Sequence, residues 1–484
     1  MREQLATGHA PGPGGGAGKR LTSASLALLC LLTALALAAG YANKARCTGP
    51  EFDEWGRSGP GYQERAYQDV CYSDVQNLWI GRDIDRHVFP YVHGSMDDSG
   101  ELRGGTVEYP VLSGLLMWLG ALPVDTDAGF LAASALLLAP FGLGVAWWLG
   151  RLSGRRALLW ALSPPLVLYA FHNWDLPAVA CAVAAVFAVH RAGPPLRNRA
   201  VLAAVLLGLG FAFKVYPGLF VLPLALFVLT GGRGGAALTP GTRYDVRGAL
   251  AVLGAAAATV VLVNLPFAVA GFDGWWASFR FQSNRQVDLS TNSVWYWGLR
   301  DFAEVDGFQQ AVGVLSPLLV LLSFAVACAV GWRLRERTGT YPWIPVSAAM
   351  LCGFLLLHKV HSPQYVLWLL PFFVLLRIRW GWIAAYLLAD LAMGIGIFRW
   401  LGEASGINDG FAAQALVLGV WGRAALLVGL FPAFLRARSA VDDDEGGGGA
   451  GGSARAFALS AEGARPPDEP VGGGARPRQH DPVR

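Results

Sequence analysis

Apolar segments of bilayer length recur along almost the whole of this 484-residue chain. A helix that crosses a hydrocarbon core needs about 20 mostly apolar residues. Charged residues make up only 15% of the chain, whereas soluble domains carry about 25%. The sequence therefore predicts an all-α polytopic membrane protein with about twelve transmembrane helices, within a range of about ten to thirteen. The predicted spans are 21–40, 128–150, 157–172, 176–190, 199–213, 217–230, 248–271, 309–332, 342–357, 365–376, 380–398 and 411–435.

Short arginine-rich loops set the predicted orientation of these spans, because such loops tend to stay in the cytoplasm. All of them fall on one side if the N terminus is cytoplasmic and the short apolar segment 107–122 is a re-entrant or interfacial helix. They are 151–156, 191–199, 231–247, 333–337, 377–379 and 436–438. The polar segment 41–106 then becomes a large first extracytoplasmic loop. Cys47 and Cys71 share that loop and can pair if it faces an oxidising compartment, a point the sequence leaves open.

The two ends of the chain differ in composition from the apolar middle. Residues 1–20 are rich in glycine and proline, and 436–484 is largely low-complexity sequence. Such compositions bury too little apolar surface to fold, so both ends are predicted to be disordered and cytoplasmic. The integral membrane domain is then 21–435. Segment 21–40 is interpreted as a signal anchor, with a cleaved signal peptide as the alternative.

Two lysines interrupt apolar segments. Only four of the 38 Lys and Arg residues are lysines, yet Lys214 lies in LGLGFAFKVYPGLFVLPL and Lys359 in GFLLLHKVHSPQYVLWLL. A lysine at mid-bilayer depth costs about 2.5–3.5 kcal/mol, so it usually faces a polar cavity or an anionic ligand. Both lie on the predicted outer face, which favours a phosphate site there. Tyr216 and Pro217 follow Lys214, and a proline break of this kind is tolerated mainly beside cavities. Snorkelling to the interface is the alternative for Lys214.

Three carboxylates lie near predicted span ends on the same face. Asp74 sits in CYSDVQNLWIGRDI, a pattern that predicts an amphipathic helix whose carboxylate points into a cleft. Glu108 opens EYPVLSGLL, and Asp175 precedes Pro177 in HNWDLP. The alternative for each is an ordinary loop or helix-start carboxylate, which the helix dipole favours.

Arginine and histidine residues of two further outer segments complete the candidate site. Arg285, in NRQVDLSTNSVW, suits bidentate recognition of phosphate. His361 and Gln364 follow Lys359 in HKVHSPQY. A metal site on His358 and His361 is an alternative, although no HExxH or Cys/His cluster accompanies them. No P-loop or GxGxxG motif is present, so soluble nucleotide chemistry has no support.

The order of these motifs resembles glycosyltransferase family 87. The stretches that carry the resemblance, over about residues 25–435, are SDVQNLWIGRDI, EYPVLSGLL, NWDLPAVACAVAAVFA, FKVYPGLFVLPL, NRQVDLSTNSVW and HSPQYVLWLLP. The resemblance implies a GT-C-like membrane α-mannosyltransferase that uses polyprenyl-phosphate-mannose. A tyrosine of the family's Asp-x-x-Val-Tyr type pattern is absent after Asp74, where the chain reads Val-Gln-Asn-Leu.

The same resemblance implies roles for the candidate residues. Asp74 would act as general base on an acceptor hydroxyl, and attack on the anomeric carbon would invert its configuration. Lys214, Arg285 and His361 would stabilise the leaving phosphate. The remaining substrate-binding candidates are Lys359, Glu108, Asp175, Tyr216 and Gln364. The implied partners are a polyprenyl-phosphate sugar, a glycan, lipid-linked or protein acceptor, and membrane lipid, without cofactor, metal or nucleic acid.

A transporter or flippase of a lipid-linked anionic glycan is the alternative function. Transporters commonly show duplicated halves and charged residues near mid-membrane. The sequence shows no internal repeat, and its polar span ends gather on one face. These patterns favour a multi-pass cell-membrane enzyme whose active site lies on the extracytoplasmic face.

Overall fold

The chain folds almost entirely into α-helices. The computed structural model describes residues 21–49, 51–403 and 410–441. The helices are α1 (Ser23–Ala45), α2 (Tyr62–Gln68), α3 (Asp74–Gly81), α4 (Val111–Ala121), α5 (Asp127–Ser153), α6 (Leu158–Ala161), α7 (Pro164–Tyr169), α8 (Leu176–His190), α9 (Leu196–Phe213), α10 (Val221–Leu229), α11 (Val246–Ala270), α12 (Phe272–Asn284), α13 (Val294–Leu299), α14 (Phe308–Thr338), α15 (Trp343–Leu357), α16 (Val366–Leu375), α17 (Trp380–Glu403) and α18 (Ala412–Arg436). Two small antiparallel hairpins, β1 (Glu51–Phe52) with β2 (Ser58–Gly59) and β3 (Ser95–Met96) with β4 (Leu102–Arg103), lie in the loop between α1 and α4.

Eight helical segments among the described residues are long and apolar enough to cross a membrane. They are Ser23–Ala45, Asp127–Ala161, Leu196–Phe213, Tyr216–Gly235, Val246–Ala270, Phe308–Thr338, Trp380–Gly402 and Ala412–Arg436. Shorter apolar helices, α8, α15 and the Pro363–Leu375 segment, lie between them. The predicted all-α polytopic fold is thus confirmed.

The predicted span 157–172 is not a continuous helix. It consists of the short helices α6 and α7, separated by Ser163 before two prolines. A proline lacks the N–H that a helix needs, and it pushes the residue before it into extended backbone. Ser163 is accordingly extended, with φ −79° and ψ 134°. The segment still crosses the bundle, because Arg156 at one end donates to the carbonyl of Leu376, and His172 at the other lies beside Asp74.

Loops that are rich in arginine contact one another at one end of the bundle. The backbone N–H of Arg377 donates to the carbonyl of Arg438 at 2.9 Å. Gly234 N donates to Thr340 Oγ1 at 2.9 Å, which joins the loop 231–247 to the residues after α14. The predicted segment 333–337 is not a loop but the last part of α14. The contacts join loops of the predicted cytoplasmic set in pairs.

Helix α4 begins and ends on the same side of the bundle. At its start, the Tyr91 hydroxyl donates to the carbonyls of Tyr109 and Pro110. Beyond its end, His87 Nε2 lies 3.0 Å from the carbonyl of Val124. Eleven residues of helix extend about 16 Å, half of a hydrocarbon core. The segment 107–122 is therefore not a span, as predicted.

Residues 437–441 pack against the end of α16. Ser439 forms an isolated antiparallel bridge with Leu376, and Ala440 N donates to the carbonyl of Leu375 at 2.8 Å. The tail that was predicted to be disordered thus begins with an ordered segment. The rest of that prediction, 442–484, and the predicted disordered segment 1–20 lie outside the described residues.

A disulfide joins Cys47 to Cys71 within the outer loop. The two residues are 24 apart in sequence, so the bond closes a loop that contains β1, β2 and α2. Replacing both cysteines by serine should lower the free energy of unfolding by about 2–4 kcal/mol, because the unfolded chain gains entropy when this loop is opened. Thermal unfolding of the detergent-solubilised protein with and without reductant measures the loss. Cys181→Ser, at a free cysteine in α8, should behave like the wild type, and an unchanged melting temperature in the double variant would contradict the prediction.

Candidate active site

Asp74 is the first residue of α3, and several contacts fix the backbone that carries it. Ser73 caps the helix, because its Oγ accepts from Val75 N at 3.2 Å. The same hydroxyl donates to the carbonyl of Phe171 at 2.7 Å, and Asp74 N donates to the carbonyl of His172 at 2.9 Å. Val75 is fully buried, so the next residue anchors the helix in the core. The Asp74 side chain is left 23% exposed.

The amide of Asn173 holds the Asp74 carboxylate in place. Its Nδ2 donates to Asp74 Oδ2 at 2.6 Å and to the Tyr109 hydroxyl at 2.7 Å. Its Oδ1 accepts from Lys214 Nζ at 2.8 Å and from Trp174 N at 2.7 Å. An ammonium only donates and a carboxylate only accepts, so these partners fix which way the amide points. Lys214 therefore orients the group that orients Asp74.

Lys214 lies inside the protein between an aromatic face and a buried carboxylate. It ends α9 in extended backbone, with φ −150° and ψ 137°, which turns its side chain out of the helix. Its Nζ lies 4.0 Å from the centre of the Tyr109 ring and 4.0 Å from Asp175 Oδ2. Asp175 is fully buried, and its Oδ1 accepts from Trp368 Nε1 at 2.7 Å. The ammonium is thus paired within the site and does not snorkel to an interface.

These side chains open onto a cavity of about 620 Å³. Five of the residues that the sequence singled out line it: Asp74, Glu108, Lys214, Arg285 and Gln364. Aromatic rings form one wall beside Asp74, where the Tyr72 ring stacks on those of Tyr67 and Phe398 at 5.7 and 5.3 Å between ring centres. The cavity therefore offers a carboxylate, cations and an aromatic wall to one ligand.

Arg285 and Lys359 form a cationic group without a carboxylate partner. Neither makes an ion pair with any residue that the structure describes. The Lys359 ammonium donates to the carbonyl of Ser283 at 3.2 Å. Partial burial, and in second place the Arg285 charge, lowers the pKa of Lys359. Arg285 lines the cavity with the Lys359 charge nearby, and positive charge of this kind favours an anionic ligand.

Glu108 forms an ion pair with Arg82. Arg82 Nε donates to Glu108 Oε2 at 2.9 Å, and its Nη1 lies 3.5 Å from Glu101 Oε2. The Arg82 guanidinium also lies over the Phe281 ring, 5.5 Å from its centre. Glu108 thus organises the cavity wall through Arg82.

The sequence comparison places the chain among known proteins. Residues 108–359, just over half of the chain, match the profile of Glycosyltransferase family 87. The chain belongs to glycosyltransferase family 87. This confirms the predicted resemblance, and with the helical architecture it confirms the predicted GT-C-like fold class. No curated protein matches the chain.

Two solved structures are distantly similar to this glycosyltransferase family 87 member. ArnT from Cupriavidus metallidurans, bound to undecaprenyl phosphate, is 14% identical with a TM-score of 0.41, over 85% of this chain and 77% of that one. AglB from Archaeoglobus fulgidus, an oligosaccharyltransferase in complex with an inhibitory peptide and a dolichol-phosphate, is 12% identical with a TM-score of 0.35. That match covers 84% of this chain and 56% of AglB, so the chain spans little more than half the length of AglB. Likeness this distant carries no information on donor or acceptor.

The match to family 87 does not include every candidate residue. Asp74 precedes the matched segment, whereas His361 and Gln364 follow it. Lys214 and Arg285 lie within it. The position of Asp74 in the site therefore depends on the structure and not on the family profile.

Several predicted residues of this glycosyltransferase lie behind the cavity. His361 is buried; its backbone N–H donates to the carbonyl of Thr291 at 2.7 Å, and its ring lies against Tyr365. Tyr216 is buried and stacks on Trp368 at 4.3 Å between ring centres. Neither these two residues nor Asp175 and Lys359 are among the residues that line the cavity. Among the described residues, no group of three or more His, Cys, Asp or Glu is arranged to hold a metal ion.

Sequence reasoning missed three polar residues of the family 87 site. Asn173 contacts both the candidate base and Lys214, and Tyr109 contacts Asn173 and Lys214. His172 Nε2 lies 3.9 Å from Asp74 Oδ2. The signal was available, since His172 and Asn173 share HNWD with Asp175, and Tyr109 follows Glu108.

Proposed function

We propose that the protein transfers a mannosyl or other hexosyl group from a polyprenyl-phosphate sugar to an acceptor hydroxyl, with inversion, on the extracytoplasmic face. One observation carries the proposal above all. The Asp74 carboxylate, oriented by Asn173, opens onto the same cavity of about 620 Å³ that contains Arg285. A base and a cation at one cavity are what displacement of a phosphate by a hydroxyl requires.

The proposed reaction is a single displacement. The acceptor O–H gives its proton to Asp74 while its oxygen bonds to the anomeric carbon. The bond between that carbon and the phosphate oxygen breaks, and its electron pair leaves with the polyprenyl phosphate. Attack opposite to the leaving group inverts the anomeric configuration. General-base assistance of this kind contributes about 10²–10⁴-fold to the rate.

Arg285 is proposed to bind the phosphate, and Lys359 to add positive charge from behind the cavity wall. The leaving phosphate gains negative charge as the glycosidic bond breaks, and fixed cations in a partly desolvated site stabilise it more than water does. Arg285 lines the cavity and has a planar donor fork that fits phosphate oxygens. Lys214 has a different proposed role, because its ammonium is engaged by Asn173 and Asp175. It positions the base.

The proposed orientation is supported by two independent features. Disulfides persist in oxidising compartments, and Cys47–Cys71 lies in the loop that leads to Asp74. The arginine-rich loops lie at one end of the bundle, which agrees with a cytoplasmic location for that end. The active site would therefore face outward from the cell membrane.

Glycosyl transfer is favoured over the transporter or flippase alternative. Membership of a glycosyltransferase family supports transfer. A carboxylate held at 2.6 Å by a fully bonded amide suits a fixed base more than a gate that must move. The choice of mannose follows the family resemblance, and the acceptor is proposed by chemical class only, as a hydroxyl of a glycan, lipid-linked or protein substrate.

Transfer by the purified protein tests the proposal. Radiolabelled polyprenyl-phosphate-mannose is incubated with the protein and a crude membrane-lipid extract, and the same assay is run with the glucosyl donor. Label that appears in a new product only when the protein is present supports hexosyl transfer. The rates with the two donors show which sugar is preferred. If the protein in sealed vesicles instead binds the donor saturably and moves the label across the bilayer without forming a product, that result would favour a flippase.

Replacing Arg285 by glutamine should raise the KM for the donor by about 10- to 100-fold, since hydrogen bonds to charged groups contribute about 1.5–3 kcal/mol. Arg280→Gln is the matched control, because Arg280 is exposed on α12, five residues earlier, and does not line the cavity. Initial rates at varied donor concentration give both constants. Equal donor KM in the two variants would remove Arg285 from the phosphate site.

A further inference from the structure

The cavity loop 285–293 connects α12 to α13 and carries part of the candidate donor site. Four of its residues line the cavity: Arg285, Asp288, Ser290 and Asn292. Most of the loop has no regular secondary structure, so its shape depends on side chains that reach it from elsewhere. Asp288 supports it locally, since its Oδ1 accepts from Ser290 N at 2.8 Å. Two further contacts come from residues outside the loop, one on α14 and one on α18.

Gln309, in the first turn of α14, holds the first half of the cavity loop. Its Oε1 accepts from Val287 N at 2.9 Å, and its Nε2 donates to the carbonyl of Val287 at 3.0 Å. The amide thus satisfies both backbone groups of one residue, as a neighbouring β-strand would. Val287 is buried and lies two residues from Arg285. The contact therefore fixes the backbone from which the Arg285 guanidinium extends.

Arg423, within α18, holds the second half of the cavity loop. Its Nη2 donates to the carbonyl of Asn292 at 3.0 Å. Asn292 has φ +47°, a left-handed conformation that is uncommon outside glycine although asparagine adopts it more readily than most residues. Arg423 is only 1% exposed. Asp390 of α17 is also 1% exposed and is close enough for its charge to interact with that of Arg423. Charged residues within a span are expensive and usually functional, so a role beyond packing is expected of this arginine.

We propose that Gln309 and Arg423 are positioning residues that hold the cavity loop in the shape that binds the donor. Neither residue lines the cavity, so each acts through the backbone of the loop. Gln309 places Arg285, and Arg423 places the turn at Asn292. The inference rests on the proposed function for its kinetic consequence, whereas the shape of the loop is measurable without substrate.

The first experiment measures the loop itself. Hydrogen–deuterium exchange of residues 285–293 is followed in the purified, substrate-free protein for wild type, Gln309→Met, Gln310→Met and Arg423→Met. Gln310 is an exposed neighbour on α14 and gives a matched control. Exchange should rise at least several-fold in the Gln309 and Arg423 variants and stay at the wild-type rate in the control. Unchanged exchange in both variants would overturn the inference, whatever the enzyme transfers.

The second experiment measures the kinetic consequence. Gln309→Met should raise donor KM by about tenfold with a smaller change in kcat, since a shift of about 1 Å can cost up to about 100-fold. In an Arg285→Gln background the same change should add little, because it acts through Arg285. Fully additive effects would overturn the assignment. Arg423→Met should also raise donor KM. Arg423→Lys, which keeps a donor and a charge, should raise it less.

The outcomes separate this inference from the proposed function. If wild type transfers no sugar from a polyprenyl-phosphate donor, the proposed function fails. The exchange experiment still shows whether Gln309 and Arg423 hold the shape of the cavity loop. If wild type transfers sugar and the variants keep its donor KM and loop exchange, the proposed function stands and this inference fails. Where Arg423→Met does not fold, Gln309→Met and Arg423→Lys carry the test.

Discussion

Asp74→Asn should reduce sugar transfer by about 10²–10⁴-fold, the range that general-base assistance supplies. Asparagine has the shape of aspartate, and its side-chain oxygen can still accept the hydrogen bond from Asn173 Nδ2. It has no basic oxygen to take the acceptor proton. The geometry of the site should therefore survive while the chemistry does not.

The measurement compares initial transfer rates and donor affinity in wild type and Asp74→Asn. Donor KD should stay close to the wild-type value, because the proposed phosphate contacts are made by other residues. Asp98→Asn is the control, since Asp98 is an exposed carboxylate of the same outer loop and does not line the cavity. Near-normal turnover in Asp74→Asn would remove this residue from the base role.

Lys214→Met is the second substitution with a large expected effect, on both stability and turnover. It removes the cation beside the fully buried Asp175, and an uncompensated buried charge costs about 3–5 kcal/mol. It also removes one of the two donors to Asn173 Oδ1 and leaves only Trp174 N, so the amide that orients Asp74 is held less firmly. Turnover should fall by about 100-fold, as expected when a catalytic group is misplaced.

A double variant separates the two effects of Lys214. Asp175→Asn in the Lys214→Met background restores charge balance, so the melting temperature should return toward that of the wild type. Turnover should remain low, because Asn173 still lacks its cationic partner. If the double variant recovers turnover as well, Lys214 serves only as the counter-charge of Asp175. Thermal unfolding and initial rates on the same preparations measure both effects.

The membrane fold was predictable because its signal is local. Apolar length is read along the chain, and the twelve predicted spans include all eight helical segments that are long and apolar enough to cross a membrane among the described residues. The break in 157–172 is also local, since two adjacent prolines follow Ser163. The apolar composition of the segment concealed that break in a prediction based on hydropathy.

The candidate site was predictable mainly where a charge stood out against its surroundings, since four of the five predicted residues that line the cavity are charged and only Gln364 is neutral. Asp74, Lys214 and Arg285 do so, and all three line one cavity. Asn173 and Gln309 are neutral amides whose importance comes from partners that are distant in sequence, such as the Asn173–Asp74 contact across 99 residues. HNWD places Asn173 near Asp175, but no pattern along the chain reports its contact with Asp74.

Backbone direction explains why other predicted residues lie outside the cavity. His361 belongs to the correct outer segment, but its backbone N–H bonds to Thr291 and its side chain packs inward against Tyr365. Tyr216 turns toward Trp368 in the same way. Position along the chain gives the membrane side of a residue, whereas its side-chain direction depends on tertiary contacts.

The Cys47–Cys71 bond has a consequence for when the loop beside Asp74 finishes folding. Cys71 precedes Asp74 by three residues, and the intervening Tyr72 carbonyl accepts from Lys44 Nζ at 2.7 Å. In the proposed orientation, this bond forms only after the loop has been translocated and oxidised. Newly made chains would then lack this bond during insertion and would acquire the stability that it adds to the loop beside Asp74 only afterwards. Oxidation would thus be a late step in the folding of this loop.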